Sequence, residues 1–306
     1  MRVQPDGQGA LTALASVLQS IDSVRNARAA YLLLLAFSAG GLLTGFARQA
    51  FAREATQTAA LWLGCAFLTL FYLSNAAGLV LMDEACGRPP RQPLEALGDA
   101  LRRAHRLLLV VGCVLLGAAA LVALALGLLA ACRLPGAGPV LLTAAVVLVV
   151  PALGVAAAAL LMLVGPVAAP AVWDGLGTRA VLALLMRQLR HHFVRALLLS
   201  AAVSLLTATL AGLVSAVVLA GGRAMLALAV LVLGLDLTPG PILAALFGQG
   251  FSLAPGAPAP SALTGAAVDG AALVFALGLV LPGVVYLRGL CELYLALRRS
   301  DGPQTP

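Results

Sequence analysis

Residues 107–132 read LLLVVGCVLLGAAALVALALGLLAAC, a run with no charged side chain and no proline. Coiled as an α-helix it would be about 39 Å long, more than the roughly 30 Å of a bilayer's hydrocarbon core. Arg106 stands before it and Arg133 after it. Working outward, comparable apolar runs occupy 29–47, 59–82, 138–165, 196–220 and 262–288. Unpaired backbone amides and carbonyls are not tolerated in hydrocarbon, so each run is read as one helical crossing. The expected fold is all-α, a polytopic membrane helix bundle with six transmembrane helices.

Composition agrees with that solvent. Of 306 residues, 62% are hydrophobic and 10% charged, and the mean hydropathy of +1.04 lies far outside the range of soluble globular chains. The net charge of +7 does not point to nucleic acid, because basic clusters interleaved with stacking aromatics are missing. There is no lysine, and the arginines fall mostly at the ends of apolar runs, where a guanidinium can reach phosphates while its stem stays in hydrocarbon. Membrane lipids are therefore the expected partner, with a membrane-protein partner or a second copy of the chain also open. The arginine-rich composition also fits a GC-rich genome.

The arginines divide unequally between the two sides of a six-span layout. Fifteen fall on the side of the termini, in 2–28, 88–106, 179–195 and 288–299; four, Arg48, Arg53, Arg133 and Arg223, fall on the other. Positive charge stays inside, so both termini are expected in the cytoplasm of a bacterial cell, with the chain in its inner membrane. The run 29–46 is followed by Ala50-Phe51-Ala52, which resembles a signal-peptidase site, but it is longer than the usual secretory core and is read as an uncleaved first span. Ala224–Leu237 and Ile242–Leu253 are apolar but short, and Pro239-Gly240-Pro241 separates them. An extracytoplasmic apolar hairpin fits, as do two further full spans, and either preserves parity. Ala254–Pro260, rich in proline, reads as an outer linker and 300–306 as a disordered tail.

Three stretches of helical period precede the first, third and fifth spans: Leu11, Leu14, Leu18 and Ile21; Leu94, Leu97 and Leu101; Leu182, Leu185, Leu189 and Phe193. They are expected as amphipathic helices on the cytoplasmic interface. The chain then parses into three units, about 8–82, 92–165 and 175–290, within one integral membrane domain. Duplication and convergent patterning both explain the repeat. Glu84-Ala-Cys-Gly87 and Asp174-Gly-Leu-Gly177 form similar turns into the second and third units.

The stretch Gly165-Pro166-Val167-Ala168-Ala169-Pro170-Ala171-Val172-Trp173-Asp174-Gly175-Leu176-Gly177, with the closing Tyr294-Leu-Ala-Leu-Arg298-Arg299-Ser-Asp301-Gly302, resembles a broad group of bacterial six-helix inner-membrane proteins of unknown activity. These include the YciC-like proteins and the membrane domain that precedes some glycerophosphodiester phosphodiesterases. The likeness implies a six-helix bundle and covers mainly the second half of the chain. With Pro306 last, the phosphodiesterase barrel is not expected and its activity is not carried over.

Chemistry has few places to reside. Asp269 within the sixth run, Asp236 in the outer hairpin, and Arg288 with Glu292 four residues on are the candidates for a polar path. Ion pairing for the last two, and outer-interface solvation for Asp236 and Asp269, are the plainer readings. His191 and His192 diverge by about 100° on a helix and are not a chelating pair; like His105, they read as wet-face residues. Cys65, Cys86, Cys113, Cys132 and Cys291 include no C-x-x-C pair, so neither a disulfide framework nor a metal site is expected. Gly175-Leu-Gly177-Thr-Arg179-Ala180 matches a dinucleotide fingerprint in form only, since no strand precedes it. A glycine turn capped by Asp174 or Thr178 is the plainer reading. Arg102, Arg103, Arg106, Arg179, Arg187 and Arg190 are the candidate lipid-headgroup contacts. Gly41-x-x-x-Gly45 permits close helix approach, and Trp62, Trp173, Tyr31 and Tyr286 read as interfacial anchors.

No cofactor and no enzyme are expected, since serine elbows, zinc helices, paired membrane aspartates and phosphate loops are missing from the sequence. The leading expectation is a non-catalytic membrane protein that contacts lipid or scaffolds a complex. A permease for a small apolar or amphiphilic solute is the alternative, suggested by the repeat, the broken hairpin and Pro151, Gly154 and Pro282. A lipid-modifying enzyme built on Asp236, Asp269 or a histidine is a third.

Overall fold

The computed structural model describes residues 26–132, 138–191, 193–233 and 262–300. The described residues are helical and contain no strand. In chain order they form α1 (Ala27–Ala52), α2 (Thr56–Ala85), α3 (Pro93–Ala131), α4 (Gly138–Ala159), a π-helical turn (Leu160–Val164), α5 (Gly165–Trp173), α6 (Thr178–His191), α7 (Phe193–Leu233), α8 (Ala262–Gly278) and α9 (Val280–Ser300). Six segments are long and apolar enough to cross a membrane: α1, α2, α3, Leu141–Ala159 in α4, Phe193–Ala229 in α7, and Gly270–Arg299 across α8 and α9. The chain is a multi-pass, all-α membrane protein.

Exposure separates this reading from that of a soluble bundle. In the apolar windows of α3, α4 and α7 only 6% of residues are buried. Leu116, Leu124 and Leu231 are 72%, 71% and 81% exposed. Water would penalise such surface at roughly 25 cal/mol per Å2, whereas lipid tails solvate it as well as neighbouring leucines do.

Helix ends follow local chemistry. Asn26 caps α1, its side-chain oxygen accepting from the backbone N–H groups of Arg28 and Ala29 at 3.2 and 3.1 Å. Helices α1, α2 and α5 all end in the same two-bond turn. Ala55 N–H donates to Ala50 O, Arg88 N–H to Asp83 O and Leu176 N–H to Ala171 O, each with a second, shorter-range bond inside it. The turning residues are Glu54, Gly87 and Gly175, at φ of 60°, 68° and 103°. Gly87 and Gly175 therefore correspond, so the expected match of Gly87 with Gly177 is shifted by two residues. Glu54 adopts the left-handed conformation without glycine's freedom, an arrangement no sequence signal announced.

Three expected boundaries differ. The stretch Leu94–Leu101 is not a separate interfacial helix but the opening of the 39-residue α3, because no proline or paired glycine interrupts Asp99-Ala-Leu-Arg-Arg-Ala-His-Arg106. The first arm of the outer hairpin, from Ala224, continues the 41-residue α7 as far as Leu233. Its second arm, Pro239-Gly240-Pro241, the stretch Leu11–Ile21 and the 301–306 tail lie outside the described residues. The sixth span breaks at Leu279, between α8 and α9, because Pro282 has no N–H to donate to Gly278 and its ring crowds that carbonyl. Prolines 166 and 170 likewise withdraw donors just beyond the π-helical turn, where the regular ladder of the fourth span is re-phased.

The chain divides into two compact units. One comprises the described residues of Leu18–Ala100 and Val203–Gly289. Its core is the α1–α2 pair, with Ala29, Leu32, Leu33, Ala36 and Gly40 in a helical stripe and Leu73, Ala76, Ala77 and Leu79–Met82 buried on α2. Gly40 is the point of closest approach: a Cβ there would lie 2.6 Å from Leu70 Cγ. The expected small-residue pair is not the contact, for nothing lies within 4 Å of a Cβ built on Gly45 and Gly41 meets Ala276 only at 3.8 Å. Gly289 serves a similar purpose against Val203 on α7, at 2.8 Å.

The other unit comprises the described residues of Leu101–Ala202 and α9 from Leu290 onward. Its core gathers Val167, Ala168, Ala171, Val172 and Trp173 of α5, Val181 and Leu185 of α6, and Cys291, Leu293, Tyr294 and Leu297 of α9. Trp173 is only 4% exposed, so it is a core residue and not an anchor facing headgroups. Trp62 packs on Phe46 with ring centroids 5.5 Å apart, and Tyr31 is exposed.

Candidate functional site

Each unit holds a polar cluster built around a buried carboxylate near a helix C-terminus. In the first, Asp83 sits two residues from the end of α2 and is 3% exposed. A carboxylate in that position faces the negative end of the helix dipole as well as desolvation, so it requires a cation. Arg91 supplies it from the loop before α3. Its Nε lies 2.9 Å from Asp83 Oδ2 as an ion pair not aligned for a hydrogen bond, while Nη2 donates to Asp83 Oδ1 at 3.3 Å. Its Nη1 donates to Asp99 Oδ2 at 2.8 Å, so one guanidinium joins the end of α2 to the first turns of α3.

Further bonds fasten the same loop. Arg28 Nη1 donates to the Pro90 carbonyl at 2.6 Å, Asn26 Nδ2 donates to Glu84 Oε2, and Arg288 Nη1 donates to the Leu81 carbonyl at 3.2 Å. The start of α1, the end of α2, the start of α3 and α9 are thereby tied together, the Arg28 bond at the surface and the others partly buried. Such bonds to charged groups contribute roughly 1.5–3 kcal/mol each when shielded.

In the second unit Asp174 follows α5 and its side chain is 6% exposed. It does not cap α6. Its Oδ2 accepts from the Tyr294 hydroxyl at 3.1 Å and from Arg298 Nη1. The hydroxyl end of Tyr294, a residue only 2% exposed, thus has a partner inside the protein. Beside this triad is a cavity of about 60 Å3 lined by Val167, Leu176, Leu184, Arg187, Gln188, Tyr294, Leu297 and Arg298. Leu184, Arg187 and Gln188 lie at i, i+3 and i+4 on α6, and Tyr294, Leu297 and Arg298 repeat that spacing on α9. Each helix therefore turns one side toward the cavity. Gly175 makes this possible, because its left-handed conformation reverses the chain between α5 and α6 within a few residues.

The residues expected to bind headgroups have different fates. Arg102, Arg179 and Arg190 are exposed; Arg103 and Arg106 are half-buried. Arg187 is half-buried at the cavity. Of the residues of the expected polar path, Arg288 donates to the Leu81 carbonyl and Glu292 is half-buried four residues further along α9, while Asp236 and the side chain of Asp269 lie outside the described residues. His105 and His191 are exposed, as a wet face requires. Asp83, Gln188 and Tyr294 were not singled out by sequence. For Asp83 a signal existed: an acid in the last turn of an apolar run is unfavourable unless an arginine returns to it.

The buried carboxylates are accordingly held as structural acceptors, while the cavity presents arginine, amide and apolar groups together. Comparison of the chain with protein-family models, with curated proteins and with solved structures returns no match.

Proposed function

We propose that the chain is a non-catalytic protein of a bacterial cytoplasmic membrane, with both termini in the cytoplasm, that contacts lipid headgroups through the arginines at its cytoplasmic helix ends. The observation that carries this reading is the division of labour among charges. Asp83, Asp99 and Asp174 are each engaged by an arginine that ties one segment to another, whereas Arg102 on α3 and Arg179 and Arg190 on α6 are exposed at the surface. A carboxylate held in this way is a fastening and a poor general base. An exposed arginine beside an anionic leaflet gains about 1 kcal/mol. The fifteen-to-four division of arginines supports the orientation, and the likeness to six-helix inner-membrane proteins supports the membrane.

The test is the lipid composition around the protein. Extracted with its native lipids in a polymer-bounded disc, the chain should carry anionic phospholipid several-fold above the surrounding membrane. Changing Arg102, Arg179 and Arg190 together to glutamine should bring the ratio close to that of the bulk without altering the helical content. An unchanged ratio would remove headgroup contact as the explanation of these residues.

A further inference from the structure

We infer that α6 is a membrane-surface anchor, seated by its Leu182, Met186 and Leu189 flank in an anionic leaflet, with Arg179 and Arg190 at the level of the phosphates. The inference rests on the headgroup-contacting reading above and gives one helix of that surface a face and a depth.

The protein core takes up only part of the apolar side of α6. Val181, Leu185 and Gln188 are buried, whereas Leu182 and Leu189 are half-buried and Met186 is 51% exposed. At about 100° per residue, Leu182 and Leu189 stand within about 60° of Met186 on the side of the core, and Arg179 and Arg190 within about 40° of it on the other side. Around the helix wall the order is therefore core, apolar strip and basic edge. Ala180, also exposed, stands about 120° from Met186 beyond that edge. The sequence pattern alone puts Leu182, Leu185 and Leu189 on one face; the fold divides that face, giving Leu185 to the core and leaving its flank uncovered.

Position says what covers the strip. α6 packs on the π-helical turn Leu160–Val164, which directly follows the apolar window Leu141–Ala159 of the fourth span. At its other end a single residue, His192, separates it from Phe193, where the fifth span opens. The later turns of α6 thus lie where two spans leave hydrocarbon on the same side. Val194 and Leu198, in the first turns of the fifth span, are 66% and 65% exposed, so apolar surface for lipid begins within one turn of the end of α6. Charge then names the lipid. α6 carries three arginines and no acidic residue. An amphipathic helix with a basic edge is drawn to anionic headgroups while its apolar strip enters the boundary of the acyl chains. Met186, unbranched and flexible, suits that irregular boundary.

The experiment uses the full chain, its five native cysteines changed to alanine, in vesicles of phosphatidylglycerol and phosphatidylethanolamine. A nitroxide is attached at Met186→Cys or, on the wet side, at Ala180→Cys, with equal helical content of the labelled chains as the control for folding. Its relaxation is read against oxygen, which concentrates in hydrocarbon, and against a water-soluble nickel chelate. The oxygen-to-nickel accessibility ratio at position 186 should exceed that at position 180 several-fold. Adding Arg179→Gln and Arg190→Gln should bring the ratio at 186 down toward that at 180. Three results each overturn the proposal: a nitroxide at 186 that meets the nickel chelate as readily as one at 180, a ratio unmoved by the double arginine change, or a label shielded from both reagents, as beneath a protein partner or a second copy. Such a failure is distinguishable from failure of the headgroup reading, because enrichment of anionic lipid around the unlabelled chain is measured separately and persists through exposed arginines even where the strip of α6 stands clear of the acyl chains.

Discussion

Replacing Arg91 by alanine will destabilise the folded chain by about 3–5 kcal/mol, the range for breaking a buried ion pair from one side. Asp83 keeps its position two residues from the end of α2, 3% exposed, and loses the guanidinium 2.9 Å away. Asp99 loses the same partner, but its side chain is 30% exposed and adds little to the loss. A buried anion with no counter-charge costs more than the pair ever contributed, because water cannot return to solvate it. The double variant Arg91→Ala with Asp83→Asn should recover at least half of the loss, since it removes the stranded charge together with its partner. Arg91→Lys should recover little, as an ammonium cannot span both carboxylates in a fixed fork. Reversible unfolding in mixed micelles, followed by circular dichroism, reads all three. A loss below about 1 kcal/mol for the single change, the range of an exposed pair, would mean that Asp83 is not shielded as described.

The second large effect belongs to Asp174. Asp174→Ala removes the acceptor of the Tyr294 hydroxyl and should cost about 1–3 kcal/mol, the penalty for a buried hydroxyl left without a partner. Arg298 adds little to that loss, because more than half of its side chain is exposed and water replaces the carboxylate. Tyr294→Phe should be milder, about 1 kcal/mol, since Asp174 keeps Arg298 and no donor is stranded. The ordering is the informative quantity. A phenylalanine variant less stable than the alanine variant would show that packing of the ring, and not the acceptor, dominates.

Much of the architecture was legible because hydrocarbon is an exacting solvent. Span length and the requirement for internal backbone bonds leave little freedom, so the six apolar runs each coincide with a described helical span. Where the reading departed from the structure, the deciding forces are ones that hydropathy does not record. Nothing in Ala52-Arg-Glu-Ala55 marks Glu54 as left-handed; the reversal is imposed by the packing of α1 on α2. The extension of α7 past Gly221-Gly222 reflects alanine and leucine on either side outweighing two weak positions. Gly40 rather than Gly41 meets α2, because the face that a helix turns inward depends on its partner.

The candidate site was less legible for a related reason. Arg187 was picked out as a basic residue at an expected interface, but its neighbours in the cavity come from α9, more than a hundred residues later in sequence. The i, i+3, i+4 spacing of Tyr294, Leu297 and Arg298 is visible in the chain, yet it acquires meaning only beside Leu184, Arg187 and Gln188. Pairing of distant helices is three-dimensional information that one-dimensional periodicity does not hold.

Thiol accessibility from the two sides of a membrane tests the central claim most directly. With the five native cysteines changed to alanine, Gln92→Cys is a suitable inner probe, since Gln92 is exposed and leaves the Arg91 ion pairs intact. Ala257→Cys is the outer probe. In intact spheroplasts an impermeant maleimide should label position 257 fully and position 92 only after lysis. Labelling of position 92 from outside, or recovery of the intact chain as a water-soluble monomer without detergent or lipid, would contradict six crossings with a cytoplasmic arginine-rich face.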